Sequence, residues 1–106
     1  MASRREVQVS GLIAQLAADY MARESGVSAL MTVTRADISS DLKNATILFS
    51  VVPATREAEA LTFAKRARSG FRDYLRKKSS LHPTPMVDFQ IDYGEKNRQR
   101  IDELTR

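Results

Sequence analysis

The chain has 106 residues, 42% of them apolar, which suits one hydrophobic core and leaves no room for a second domain. It contains no cysteine, which excludes disulfides, thiolate metal sites and cysteine nucleophiles. Lys and Arg number 17 against 13 Asp and Glu, a net charge of +4, and no apolar run approaches the roughly 20 residues of a membrane span.

Ser3 and Glu6 stand at capping-box spacing, and Val9, Leu12, Ile13, Leu16, Ala17 and Tyr20 then recur every three or four residues. This pattern predicts a helix over about 5–24, ended by Ser25 and by Gly26 in the left-handed conformation. Because Arg4 and Arg5 precede no apolar stretch, no signal peptide is expected and the protein is expected in the cytoplasm. Two runs rich in β-branched and aromatic residues follow, from 30 to 38 and from 45 to 52. The short, turn-prone link from Ser39 to Asn44 predicts an antiparallel hairpin. In the second run Leu48 and Val52 oppose Ile47, Phe49 and Val51, the pattern of a central strand covered on more than one side.

Pro53 stops that strand, and Glu57 and Glu59 near Thr55 suit the positive end of a new helix. Ala58, Leu61, Ala64 and Ala67 supply its packing face, and after Gly70 the apolar face resumes with Phe71, Tyr74 and Leu75. The glycine predicts two helices joined by a kink. Residues 86–93 alternate, with Val87, Phe89, Ile91 and Tyr93 on the core face and Met86, Asp88, Gln90 and Asp92 opposite. Beyond Gly94 a weak polar helix is expected over 95–106, with Ile101 and Leu104 at helical spacing. The order α-β-β-α-(kink)-α-β reads as an α+β domain, a three-stranded sheet with its helices on one face.

Catalysis finds little support. The single histidine, His82, lies in a turn, and the glycines never reach phosphate-loop spacing. Asp88 and Asp92 share the polar face of the last strand, where they either hold magnesium or are simply solvated. Asp37 and Asp41 flank a turn and are expected to hydrogen-bond its backbone. No enzyme, cofactor or metal is expected.

The basic segment has more content. Lys65, Arg66, Arg68, Arg72, Arg76, Lys77 and Lys78 fall within fourteen residues, opposed only by Asp73, so the rest of the chain is slightly acidic. Such a cluster is the footprint of a polyanion surface, although a solvated helix face has the same composition. A kink at Gly70 would turn the amides of a new helix outward as an anion site, with Ser69 as cap and phosphate donor. Phe71 and Tyr74 are expected to pack rather than to stack on bases.

The element order is similar to the type II KH-like fold, without the GxxG loop that clamps a nucleic-acid backbone. The chain more closely resembles the ribosome-binding factor A family, over about residues 4–104. The likeness rests on Thr32-Val33-Thr34 followed by Ile38-Ser39-Ser40-Asp41-Leu42-Lys43-Asn44-Ala45, on Ser69-Gly70-Phe71 with Leu75, and on Pro83, Pro85, Phe89, Asp92 and Ile101. One departure is Arg68, which stands where the family's kink carries alanine. The resemblance implies a single KH-like ribosome-binding domain over 1–106. It further implies binding to the immature small (30S) subunit, help in maturing 16S rRNA, and a part in growth in the cold.

The expected RNA-binding residues are Lys65, Arg66, Arg68, Ser69, Gly70, Arg72, Arg76, Lys77 and Lys78. Contact with about four to six phosphates predicts a slope of log affinity on log salt of roughly −3 to −5. The expected partners are the small subunit and 16S rRNA, with no membrane and no small-molecule substrate, and the protein is expected to be a monomer. The alternative is a protein–protein interaction module working through a free sheet edge or the terminal segment.

Overall fold

Ser3 starts the first helix: its hydroxyl accepts a hydrogen bond from the Glu6 amide at 3.1 Å, satisfying an amide that has no partner inside the helix. The computed structural model describes residues 2–23 and 26–94, so the helix expected over 95–106 lies outside the described residues. Helix α1 spans Arg4–Ala22 and buries Val9, Ile13, Ala17 and Met21. The buried stripe is rotated slightly from the predicted one, for Met21 joins it and Leu12 lies at its exposed edge. The helix ends two residues early, and Gly26, at φ +78°, opens a short 3-10 turn over Gly26–Leu30.

Strands β1 (Met31–Ile38) and β2 (Asn44–Val51) form the expected antiparallel hairpin, and β3 (Met86–Ile91) lies parallel to β2 on its other side. The central place predicted for the second run is therefore correct. In β2, Ala45, Ile47, Phe49 and Val51 are buried, while Leu48 on the opposite face is half-buried. Val52 lies past the strand and is exposed, so the cover expected for it is absent.

β1 carries a feature that its sequence concealed. Its register slips between Val33 and Arg35, leaving Thr34 as a bulge. Met31 and Val33 pair with Val51 and Phe49, whereas Ala36 and Ile38 pair with Ile47 and Ala45. Since the four β2 partners share one face, the bulge lets odd and even positions of β1 both point inward. Without the extra residue one half of the strand would turn its apolar side to solvent.

The Ser39–Asn44 link is held by its own side chains. Asp41 Oδ1 accepts from the Ser39 hydroxyl at 2.6 Å and from the Lys43 amide at 3.0 Å, as expected of that aspartate. These hydrogen bonds, the Ser39 hydroxyl foremost, hold the Asp41 carboxyl below the ordinary carboxylate range. Asp37 behaves otherwise: it faces Arg35 at 3.7 Å in an exposed ion pair rather than serving the turn.

The largest correction concerns the second helix. Helix α2 is one element, Glu57–Lys78, preceded by a 3-10 turn over Ala54–Arg56. It passes through Gly70 without ending, so no second helix begins there. Ser69 is consequently no cap, and the amides near Gly70 belong to a helix interior where each is already committed. Gly70 has a different reason to be glycine. A Cβ there would collide with the Tyr20 hydroxyl of α1. The residue leaves room for the tip of the Tyr20 side chain.

Helices α1 and α2 cover the same face of the sheet, α1 mainly over β1 and α2 mainly over β3. Ala17, Ala60 and Ala64 are fully buried, and their small side chains let the helices approach. Phe71 of α2 meets Phe89 of β3 edge-on at 5.8 Å, and Phe89 meets Phe49 of β2 at 6.4 Å. Phe71, Phe89 and Ile47 are fully buried, as the sequence pattern required. Tyr93, assigned to the core face by alternation, is instead 62% exposed, because β3 ends at Ile91.

Candidate nucleic-acid interface

All nine candidate residues lie on α2, but its helical spacing sorts them into separate groups. Lys65, Arg68, Ser69, Arg72 and Arg76 follow one flank at intervals of three or four residues, the flank nearer β3. Arg66, Gly70 and Lys77 lie further round the helix, on its exposed side, and Lys78 lies beyond them toward Tyr74. A shallow groove of about 410 Å³ between α2 and the start of β3 is lined by Lys65, Arg66, Arg68, Ser69 and Arg72, with Met86 and Val87 from the strand. Five of the nine residues thus share one concavity. Arg76, Lys77 and Lys78 continue along the last turn, which places Lys78 about 20 Å along the axis from Lys65.

Several of these cations already have work inside the protein. Arg72 Nε donates to the Pro85 carbonyl at 3.0 Å, and Nη2 donates to the Thr84 carbonyl at 2.8 Å. Thr84 and Pro85 are buried residues, and these donors satisfy their partly buried carbonyls. Arg72 therefore fastens the loop before β3 to the helix. Lys65 Nζ lies 2.6 Å from Asp88 Oδ1, and Arg68 Nη1 lies 3.4 Å from the same oxygen. Arg68 Nε also donates to the Lys65 carbonyl at 2.9 Å, which lays its guanidinium along the helix. Arg76 pairs with Asp73 at 2.9 Å, one turn away.

Other cations are more available. Arg66 and Lys77 are exposed and have no ion-pair partner among the described residues. Lys78 sits over the Tyr74 ring at 5.8 Å, and Arg23 of α1 sits over the same ring at 4.9 Å. Arg23 was not among the sequence-derived candidates. Only the meeting of the two helices brings it to the ring that Lys78 also covers, and no spacing within the chain could have signalled that. Phe71 is buried and Tyr74 is half-buried among Tyr20 and Phe71, so both rings pack as expected.

The two aspartates of the last strand do not form a pair. Asp88 turns toward Lys65 and Arg68 and also accepts from Gln90 Nε2 at 2.9 Å. Its partial burial pushes the pKa up, but the hydrogen bonds from Lys65 and Gln90 outweigh this and leave it below the ordinary value. Asp92 is buried, lies 2.6 Å from the Thr34 hydroxyl, and donates its amide to the Phe49 carbonyl at 2.8 Å. It thereby ties the bulge of β1 to the end of β3 across the outer face of β2. Among the described residues, no three His, Cys, Asp or Glu side chains gather where a metal could bind. No described helix is long and apolar enough to cross a membrane.

Comparison with known proteins agrees with this architecture. A ribosome-binding factor A from Coxiella burnetii is 29% identical over 96% of this chain and 87% of its own length. One from Thermobifida fusca is 32% identical over 70% of this chain and 50% of its own. The chain spans about half the length of some of the relatives it matches. Among solved structures, ribosome-binding factor A from Thermus thermophilus superposes with a TM-score of 0.73 at 18% identity, over 81% of this chain and 94% of that one. A Thermotoga maritima protein gives 0.69 at 22% identity, over 85% and 89%. These two show that the fold is the KH-like one expected. The model of the family described as ribosome-binding factor A matches residues 4–105, and the chain belongs to that family.

Proposed function

We propose that this protein binds the immature small ribosomal subunit in the cytoplasm and assists maturation of 16S rRNA without catalysing a reaction. The observation that carries the reading is the basic surface of α2, in a chain of the ribosome-binding factor A family. A small binding module acts through differential affinity: it favours the RNA conformation that it binds better. The cations of the groove would grip phosphates on one side of α2, and Lys78 with Arg23 would do so on the side toward α1. Contacts of this kind position a protein on RNA without reading bases.

The test is co-sedimentation of the purified protein with isolated small subunits, large subunits and whole ribosomes at two salt concentrations. Preferential association with small subunits is expected, weakening with salt at a log–log slope of about −3 to −5 for four to six phosphates. Equal binding to all particles would reduce the surface to a general polyanion site. Absence of binding would overturn the reading in favour of a protein-interaction module.

A further inference from the structure

Two cations of the groove are shared with an anion beside it. Asp88, next along β3 from the groove-lining Met86 and Val87, has its Oδ1 2.6 Å from Lys65 Nζ and 3.4 Å from Arg68 Nη1. Its other oxygen is held by Gln90 at 2.9 Å, so the carboxylate is aimed rather than free to swing away. The side chains of Lys65, Arg68 and Asp88 remain 30%, 49% and 36% exposed, which leaves them open to an incoming ligand. Ion pairs with this much solvent contact add little to stability and exchange readily. A carboxylate presents to these cations the same pair of anionic oxygens as a phosphate does.

We propose that Asp88 is a built-in competitor for phosphate, holding Lys65 and Arg68 until a phosphate group displaces it and so setting the charge density a ligand needs. This rests on the polyanion-binding reading of the same surface. Displacement leaves Asp88 to recruit a cation from solution, which offsets one of the counterions that binding releases from the nucleic acid. An aspartate beside a phosphate groove then lowers both the affinity and its dependence on salt.

Asp88→Asn keeps the shape and removes the charge. Two readouts separate the possible failures: elution from immobilised heparin, a polyanion unrelated to ribosomes, and affinity for isolated small subunits. The variant is expected to leave heparin at higher salt, to bind subunits about three- to fivefold more tightly, as an exposed ion pair allows, and to steepen the salt slope by about one. Adding Lys65→Ala and Arg68→Ala to it should cancel the gain. Unchanged or weaker binding by a folded Asp88→Asn protein would overturn the proposal, as would a gain that survives loss of both cations. A heparin shift without subunit binding by either protein would sustain the role of Asp88 and reject the ribosomal reading. Should Asp88→Asn not fold, single variants of the natural chain decide: Lys65→Ala is expected to weaken heparin binding less than Arg66→Ala, and an equal loss would overturn the proposal.

Discussion

Arg72 and Arg66 lie within two turns of the same helix, carry the same charge, and have different occupations. On the flank beside β3, Arg72 is spent on two buried carbonyls, and Lys65 and Arg68 share one carboxylate. Further round the helix Arg66, which also lines that groove, and Lys77 stand in solvent. A cation count treats these groups alike. The structure separates cations that have partners inside the protein from cations whose charges are available at once.

The comparison can be broken or sharpened by substitution. The largest effect belongs to the core beneath the structural flank. Phe89→Ala, which removes the ring joining Phe71 to Phe49, is expected to cost about 3–5 kcal/mol in chemical denaturation. Losing less than half of that would show that this ring cluster is not the centre of the core. Next comes Arg72→Met, which keeps most of the aliphatic stem and strands the two carbonyls. A loss of about 2 kcal/mol is expected, and a variant as stable as the parent would remove Arg72 from the structural class.

Gly70→Val tests the corrected role of the glycine. The side chain must push the Tyr20 ring from Phe71 and Tyr74, at an expected cost of about 1–3 kcal/mol. Tyr20→Phe, which removes the obstructing hydroxyl, should recover part of it in the double variant. No recovery would mean that the penalty arises elsewhere in the helix. The smallest stability change is expected for Arg66→Glu with Lys77→Glu, within about 0.5 kcal/mol of the parent. The same variant should nevertheless weaken polyanion binding and flatten its salt slope by about two. Intact binding would show that the exposed flank is not the one in use.

Acid titration supplies a further check. Asp41, Asp88 and Glu59 have folded-state pKa values below their ordinary 3.8, 3.8 and 4.5. Hydrogen bonding from Ser39 and the Lys43 amide, from Lys65 and Gln90, and from Arg56 respectively lowers them. Groups shifted downward contribute stability that is fully present above the unfolded values and is lost as pH falls through the folded ones. Stability should therefore be level in these groups through neutral pH and decline below about 4. Asp41→Asn should make that acid decline shallower, and an unchanged decline would remove the turn carboxylate as a contributor.

Much of this architecture was legible in the chain itself. The Ser3 cap, the helical stripe through Val9, Ile13 and Ala17, and the alternation of Val87, Phe89 and Ile91 are local patterns. They depend only on whether side chains repeat every 3.6 or every two residues. The family resemblance rests on something else, short segments of particular residues in a fixed order. Gly70 misled because a glycine within a helical pattern has two physical explanations, a break in the helix or a close neighbour, and only the position of Tyr20 distinguishes them. The bulge at Thr34 was hidden because one extra residue changes the face of all that follows without altering composition.

The sequence by itself determined the first helix, the strand hairpin, the last strand, the core residues of β2 and β3, and the clustering of seven cations within α2. Each follows from neighbours along the chain. Tertiary structure alone decided which cations remain available, for Arg72 acquires the Thr84 and Pro85 carbonyls, and Lys65 acquires Asp88, only when β3 returns beside β2. It likewise brought Arg23 to Tyr74 and Asp92 to Thr34. A charged side chain acts through whatever lies within a few ångströms of it, and for residues twenty or fifty positions apart that distance is set by the fold.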